Sequence, residues 1–100
     1  MSSLIDTDSN KQAARVLISV RTFLGEQNRN WVKPITQGDL AEMLAPHLGY
    51  RPVQTMVSKW ERGNSLVPAN VLFAAAKLVS KRLGRPVTVD ELFAAEIKVS

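Results

Sequence analysis

At 100 residues the chain is long enough for one domain, burying roughly two-thirds of its unfolded surface without a metal or disulfide. It has no cysteine, which excludes disulfide scaffolds, thiolate metal sites and cysteine nucleophiles. The net charge is +4 and unevenly spread: Arg51, Lys59, Arg62, Lys77, Lys81, Arg82 and Arg85 stand against the single acid Glu61 in that stretch, a distribution that favours a polyanionic partner.

The N-terminus M-S-S-L-I-D-T-D-S-N lacks the basic-then-apolar layout of a signal peptide, and no apolar run approaches the ~18 residues of a membrane span. A soluble cytoplasmic protein without membrane partners is expected. Residues 1–8 are polar apart from Leu4 and Ile5 and read as a flexible arm, with folding back in a dimer as an alternative. At Ser9 the pattern S-N-K-Q is a capping box, so the first helix is expected to start there. Val16, Leu17, Val20, Phe23 and Leu24 give it an apolar stripe, and it is expected to end between Gly25 and Asn28.

Residues 28–35, N-R-N-W-V-K-P-I, have no helical period, and Pro34 disfavours helix at Lys33, which predicts a loop. Trp31 reads as a lid over the core or as an exposed contact, the former preferred. Thr36 and Asp39 suit the N-cap and third position of a second helix, with Leu40, Met43, Leu44 and Leu48 on its buried side. Pro46 should stop that helix near Ala45 or kink it before His47, a histidine without a second ligand that reads as surface. Gly49 suits a C-cap, and Pro52 the start of a third helix from Val53 to Arg62.

This third segment has two unlike faces. Val53, Val57 and Trp60, with Met56 beside them, recur at helical spacing and belong to a core. Gln54, Thr55, Ser58, Lys59 and Arg62 point the other way and carry groups able to address base edges and phosphates in a major groove. Gly63 is expected to end the helix. A fourth helix after Pro68 is apolar at Val71, Leu72, Ala75, Leu78, Val79 and Leu83, and Gly84 to Pro86 break it. A second capping box, Thr88 to Glu91, opens a short fifth helix carrying Leu92 and Phe93, and residues 94–100 form a tail whose Ile97 and Val99 suit a dimer contact. No strand signal is visible.

The residues T-Q-x-x-L-A at Thr36 to Ala41 and V-S-K-W-E-R-G at Val57 to Gly63 resemble the Cro and lambda-repressor type of helix-turn-helix, the XRE-like family. Pro68, the apolar helix after it and V-D-E-L-F at Val89 to Phe93 extend the likeness over residues 9–93. The resemblance implies an all-α, five-helix lambda-repressor-like bundle with a central helix-turn-helix. It further implies base readout by Gln54, Thr55, Ser58 and Lys59, and phosphate contacts by Gln37, Arg51, Arg62, Asn64 and Ser65. Leu40, Ala41, Val57 and Trp60 would form the core of the motif, and Glu61 would pair with Arg21. In two places the chain departs from the family: the turn between the central helices is enlarged by A-P-H-L-G-Y-R-P, and the loop before Thr36 is long, where Arg29, Trp31 and Lys33 suit an added contact with DNA or a partner.

The function expected is that of a sequence-specific, double-stranded DNA-binding transcriptional regulator, a repressor of phage or plasmid type, acting as a homodimer without a cofactor. The alternative is an antitoxin that binds a toxin protein and controls its own promoter; an adaptor that kept the fold but lost DNA binding is a third reading. Asp39, Asp90 and Glu91 sit at helix starts, where capping explains them, so no enzyme is expected.

Overall fold

A computed structural model describes the backbone of residues 2–99 and the side chains of residues 10–94. Among these the chain forms α1 (Ser2–Phe23), β1 (Glu26–Gln27), β2 (Val32–Lys33), α2 (Gln37–Leu48), α3 (Gln54–Glu61), α4 (Ala69–Leu83) and α5 (Val89–Val99). α1 packs against α3, α4 and α5, α2 against α3 and α4, and α4 against α5. The protein is mostly helical, with Leu17, Leu40, Leu44, Val57 and Val71 sealed at the centre and Phe23, Leu48, Met56, Leu72, Leu92 and Phe93 packed around them. Among the described residues no helix is long and apolar enough to cross a membrane.

Both ends of the chain differ from the expectation. α1 begins at Ser2, so residues 2–8 continue a helix where an arm was expected, and Ser9 lies inside it. A capping signature favours a helix end, but once a helix exists each added residue gains a hydrogen bond at little cost, and Ser in its interior costs only a few tenths of a kcal/mol. α5 likewise runs to Val99, so the backbone of residues 94–99 is helical where a tail was expected. The side chains of Leu4, Ile5, Ile97 and Val99, and with them the suggested dimer contacts, lie outside the described residues.

Residues 26–33 are not a plain loop but an antiparallel hairpin, with Glu26 opposite Lys33 and Gln27 opposite Val32. Asn28 closes it: its N–H donates to the Trp31 carbonyl at 2.9 Å, and its Oδ1 accepts from the N–H groups of Asn30 (2.8 Å) and Trp31 (3.2 Å). This side-chain turn replaces the positive-φ glycine turn that tight hairpins usually use. Two residues per strand are too few to show an alternating pattern. Trp31 stands 46% exposed, so it is not a lid over the core.

At the base of the hairpin, Gly25 has no room for a side chain. A Cβ there would lie 2.0 Å from the Lys33 carbonyl oxygen and 2.7 Å from the Pro34 Cα, both of them backbone that cannot rotate away. Gly25→Ala is therefore expected to destabilise the chain by about 1–3 kcal/mol, readable as a lowered melting temperature by circular dichroism. An unchanged melt would show that the hairpin root is not tightly seated.

α2 opens on the expected capping box: Asp39 N–H donates to Thr36 Oγ1 at 3.0 Å, and Thr36 N–H donates to Asp39 Oδ2 at 3.3 Å. It neither stops at Ala45 nor breaks at Pro46. Pro46 removes only the bond to the Glu42 carbonyl, whereas continuing for another turn packs Leu48 on the core and lets Gly49, at φ 78°, donate to Ala45. The enlarged turn is thus an extra helical turn followed by residues 49–53, with Pro52 buried. Met43, expected inside, is exposed beside the stripe that Leu40, Ala41 and Leu44 occupy, and Leu83 is exposed near the end of α4.

Candidate nucleic-acid interface

α3 is short and strongly two-faced. Val57 and Trp60 are buried and Met56 is partly so, while Gln54, Thr55 and Lys59 are exposed and Ser58 is half-buried. Val53 departs from the expected apolar face and is 57% exposed, because it is the N-cap, with φ −97° and ψ 161°, and does not follow the helical rotation. No side chain caps this end, so the first N–H groups of α3 stay available beside Gln54 and Thr55. The other end closes on Gly63 at φ 74°: Gly63 N–H donates to Trp60 and Asn64 N–H to Lys59, the two bonds of a Schellman motif.

Four side chains from three helices tie this face to the rest of the bundle. Arg21 of α1 forms a two-pronged pair with Glu61, Nε to Oε2 at 2.9 Å and Nη2 to Oε1 at 3.0 Å, and its Nη1 donates to the Ile35 carbonyl at 3.0 Å. The Glu61 side chain is 5% exposed. Gln37, the first residue of α2, donates from Nε2 to Glu61 Oε1 at 3.0 Å and accepts at Oε1 from Gln54 Nε2 at 3.2 Å.

The direction of that chain of bonds follows from its source. Flanked by guanidinium N–H groups, the Glu61 carboxylate can only accept, so Gln37 must turn its NH2 toward it and its oxygen toward Gln54. Gln54 must then give one N–H to Gln37. Its Oε1 and second N–H remain on the exposed side, an acceptor and a donor from one planar group.

The other sequence-derived site residues divide. Lys59 and Asn64 are exposed, and Ser65 is half-buried just beyond α3. Arg62 is folded back along the helix, donating to Ser58 Oγ from Nε at 3.2 Å and from Nη2 at 2.6 Å, so Ser58 and Arg62 act on each other rather than pointing outward separately. Arg51 is ion-paired to Glu42 of α2, a partner with no local sequence signal, and both are largely exposed. Leu40, Ala41, Val57 and Trp60 lie in the core as a unit. Sequence reasoning missed the link from Gln37 to Glu61, which depends on two helix ends meeting in space. The chain matches no family model, no curated protein and no solved structure.

Proposed function

We propose that the chain is a sequence-specific, double-stranded DNA-binding regulator of the XRE-like helix-turn-helix type, with a lambda-repressor-like arrangement of its helices. The reading rests chiefly on the bond chain Arg21–Glu61–Gln37–Gln54, which pre-orients an exposed amide at the start of α3. An outward pair of one acceptor and one donor complements the N6–H and N7 of adenine in the major groove. Thr55 and Lys59 lie one turn apart on the same face and supply further base or phosphate contacts. The uncapped N–H groups of α3 and the positive start of α2 favour phosphate nearby. Arg51 can exchange Glu42 for a phosphate at little cost, because an exposed ion pair is worth about 0–1 kcal/mol.

Such a protein acts as a homodimer on a palindrome, its two reading helices about 34 Å apart. Selection of bound duplexes from a random pool tests the proposal and should recover a palindrome with an A·T pair at a fixed place in each half-site. Gln54→Ala should then flatten the preference at that pair by about 1–3 kcal/mol and leave the remaining positions unchanged. Recovery of no enriched duplex, or a Gln54→Ala selection identical to that of the unaltered chain, would overturn the proposal.

A further inference from the structure

The helix-turn-helix reading leaves the hairpin β1–β2 without a role. Its mounting is firm: Ile35 N–H donates to the Arg21 carbonyl at 3.2 Å, Arg21 Nη1 returns a bond to the Ile35 carbonyl, and Gly25 is pressed against the backbone of Lys33 to Ile35. Its body is nonetheless bare. Every residue of both strands is exposed, and Trp31 and Val32 present apolar surface to water. A two-stranded ribbon without a packed face is marginal by itself, so the firm root and the Asn28 turn preserve a shape that the core does not need.

The chemistry of the ribbon points to one kind of partner. Arg29 sits in the turn, Lys33 lies near the root, and Arg82 lines the groove at that root with Lys33 and Asp39. Asp39 is engaged in the cap of α2, which leaves Glu26, opposite Lys33, as the acid of the hairpin. Trp31 and Val32 fall far short of the roughly 800 Å² that a stable protein partner covers. β2 leads through Pro34 and Ile35 straight into Thr36, the cap of α2, so the ribbon continues the surface proposed above to meet DNA. Three residues of strand reach about 10 Å, or roughly three base-pair steps.

We propose that the hairpin is a second DNA-contacting element, lying on the sugar–phosphate backbone beside the base pairs under α3. Arg29 and Lys33 pair with phosphates there, and the Trp31 ring packs against deoxyribose. This inference rests on the reading of α3, and the two can fail separately.

The test compares the unaltered chain with Arg29→Ala/Lys33→Ala and with Trp31→Ala, by fluorescence anisotropy over a range of salt concentrations. The probes are a duplex recovered from the random pool with its flanks intact, and the same duplex trimmed to the half-sites. On the flanked duplex the double variant should lower the slope of log affinity against log salt by about two per protomer, roughly one for each phosphate released. Trp31→Ala should weaken binding there with the slope unchanged, and on the trimmed duplex all three proteins should converge. Equal slopes for the unaltered chain and the double variant on the flanked duplex would overturn the hairpin's role while leaving α3 reading DNA, and would direct attention to a protein partner for the ribbon. Failure of the unaltered chain to bind any duplex would remove the reading of α3, and the hairpin's role with it.

Discussion

Trp60→Ala is expected to cost about 3–5 kcal/mol of folding stability, the range for removing a large buried aromatic side chain. Trp60 is 4% exposed and lies among the sealed side chains that α1, α2 and α4 bring together, so the void has no route by which to fill. In a domain whose total stability is on the order of 5–15 kcal/mol, that loss should lower the melting temperature by on the order of 20 °C. Thermal unfolding followed by circular dichroism reads it directly. Trp31→Ala provides a control with the same chemistry and the opposite environment, since Trp31 is almost half exposed and should melt nearly unchanged. Similar melts for the two variants would show that Trp60 does not anchor α3. DNA binding should fall in Trp60→Ala as folded protein is lost, whereas Gln54→Ala should keep its melting curve and lose only base preference.

Arg21→Ala should be nearly as damaging, although Arg21 is a charged residue near the end of a helix. Its removal strands the Glu61 carboxylate, whose side chain is 5% exposed, with Gln37 as its remaining side-chain donor. Breaking one side of a buried ion pair typically costs about 3–5 kcal/mol, most of it the penalty of an uncompensated charge. Chemical denaturation measures the loss. The double variant Arg21→Met/Glu61→Leu removes both charges and should regain most of the stability, as buried pairs often do when replaced by apolar groups. It should not regain the preference at the Gln54 base pair, because Gln37 no longer has a carboxylate to orient it. A double variant as unstable as Arg21→Ala, or one that keeps the preference, would show that the pair neither carries this charge penalty nor directs the amides.

Much of the chain was legible before the structure, and what was legible had a local cause. Thr36 and Asp39 announce the start of α2 because both bonds of a capping box are made within four residues. Gly49 and Gly63 mark helix ends because both take positive φ, a conformation that other residues avoid. Val57 and Trp60 declare the inner face of α3 by spacing alone, with Gln54, Thr55 and Lys59 opposite. The pair between Arg21 and Glu61 was legible through the family resemblance and not from spacing, since 40 positions separate the two residues.

Local cues misled where a longer-range gain outweighed them. Ser9 reads as a cap but lies inside α1, and Pro46 reads as a stop but sits in a helix that continues to pack Leu48. The ribbon at residues 26–33 has strands of two residues, too short for any alternation, and its turn is made by a side chain. Arg51 and Arg62 read as outward cations, yet each has a side-chain partner, Glu42 and Ser58.

By itself, then, the sequence determined which segments are helical, where most of them begin and end, and which side of α3 is polar, because caps, glycines and apolar spacing act over a few residues. Tertiary structure alone decided which way the Gln54 amide faces and where the hairpin stands. Those depend on α1, α2 and α3 converging, so that one guanidinium reaches both a carboxylate at the end of α3 and the backbone before α2. Linear order carries no record of such a meeting, since it arises only when burial of the shared core brings distant segments within bonding distance.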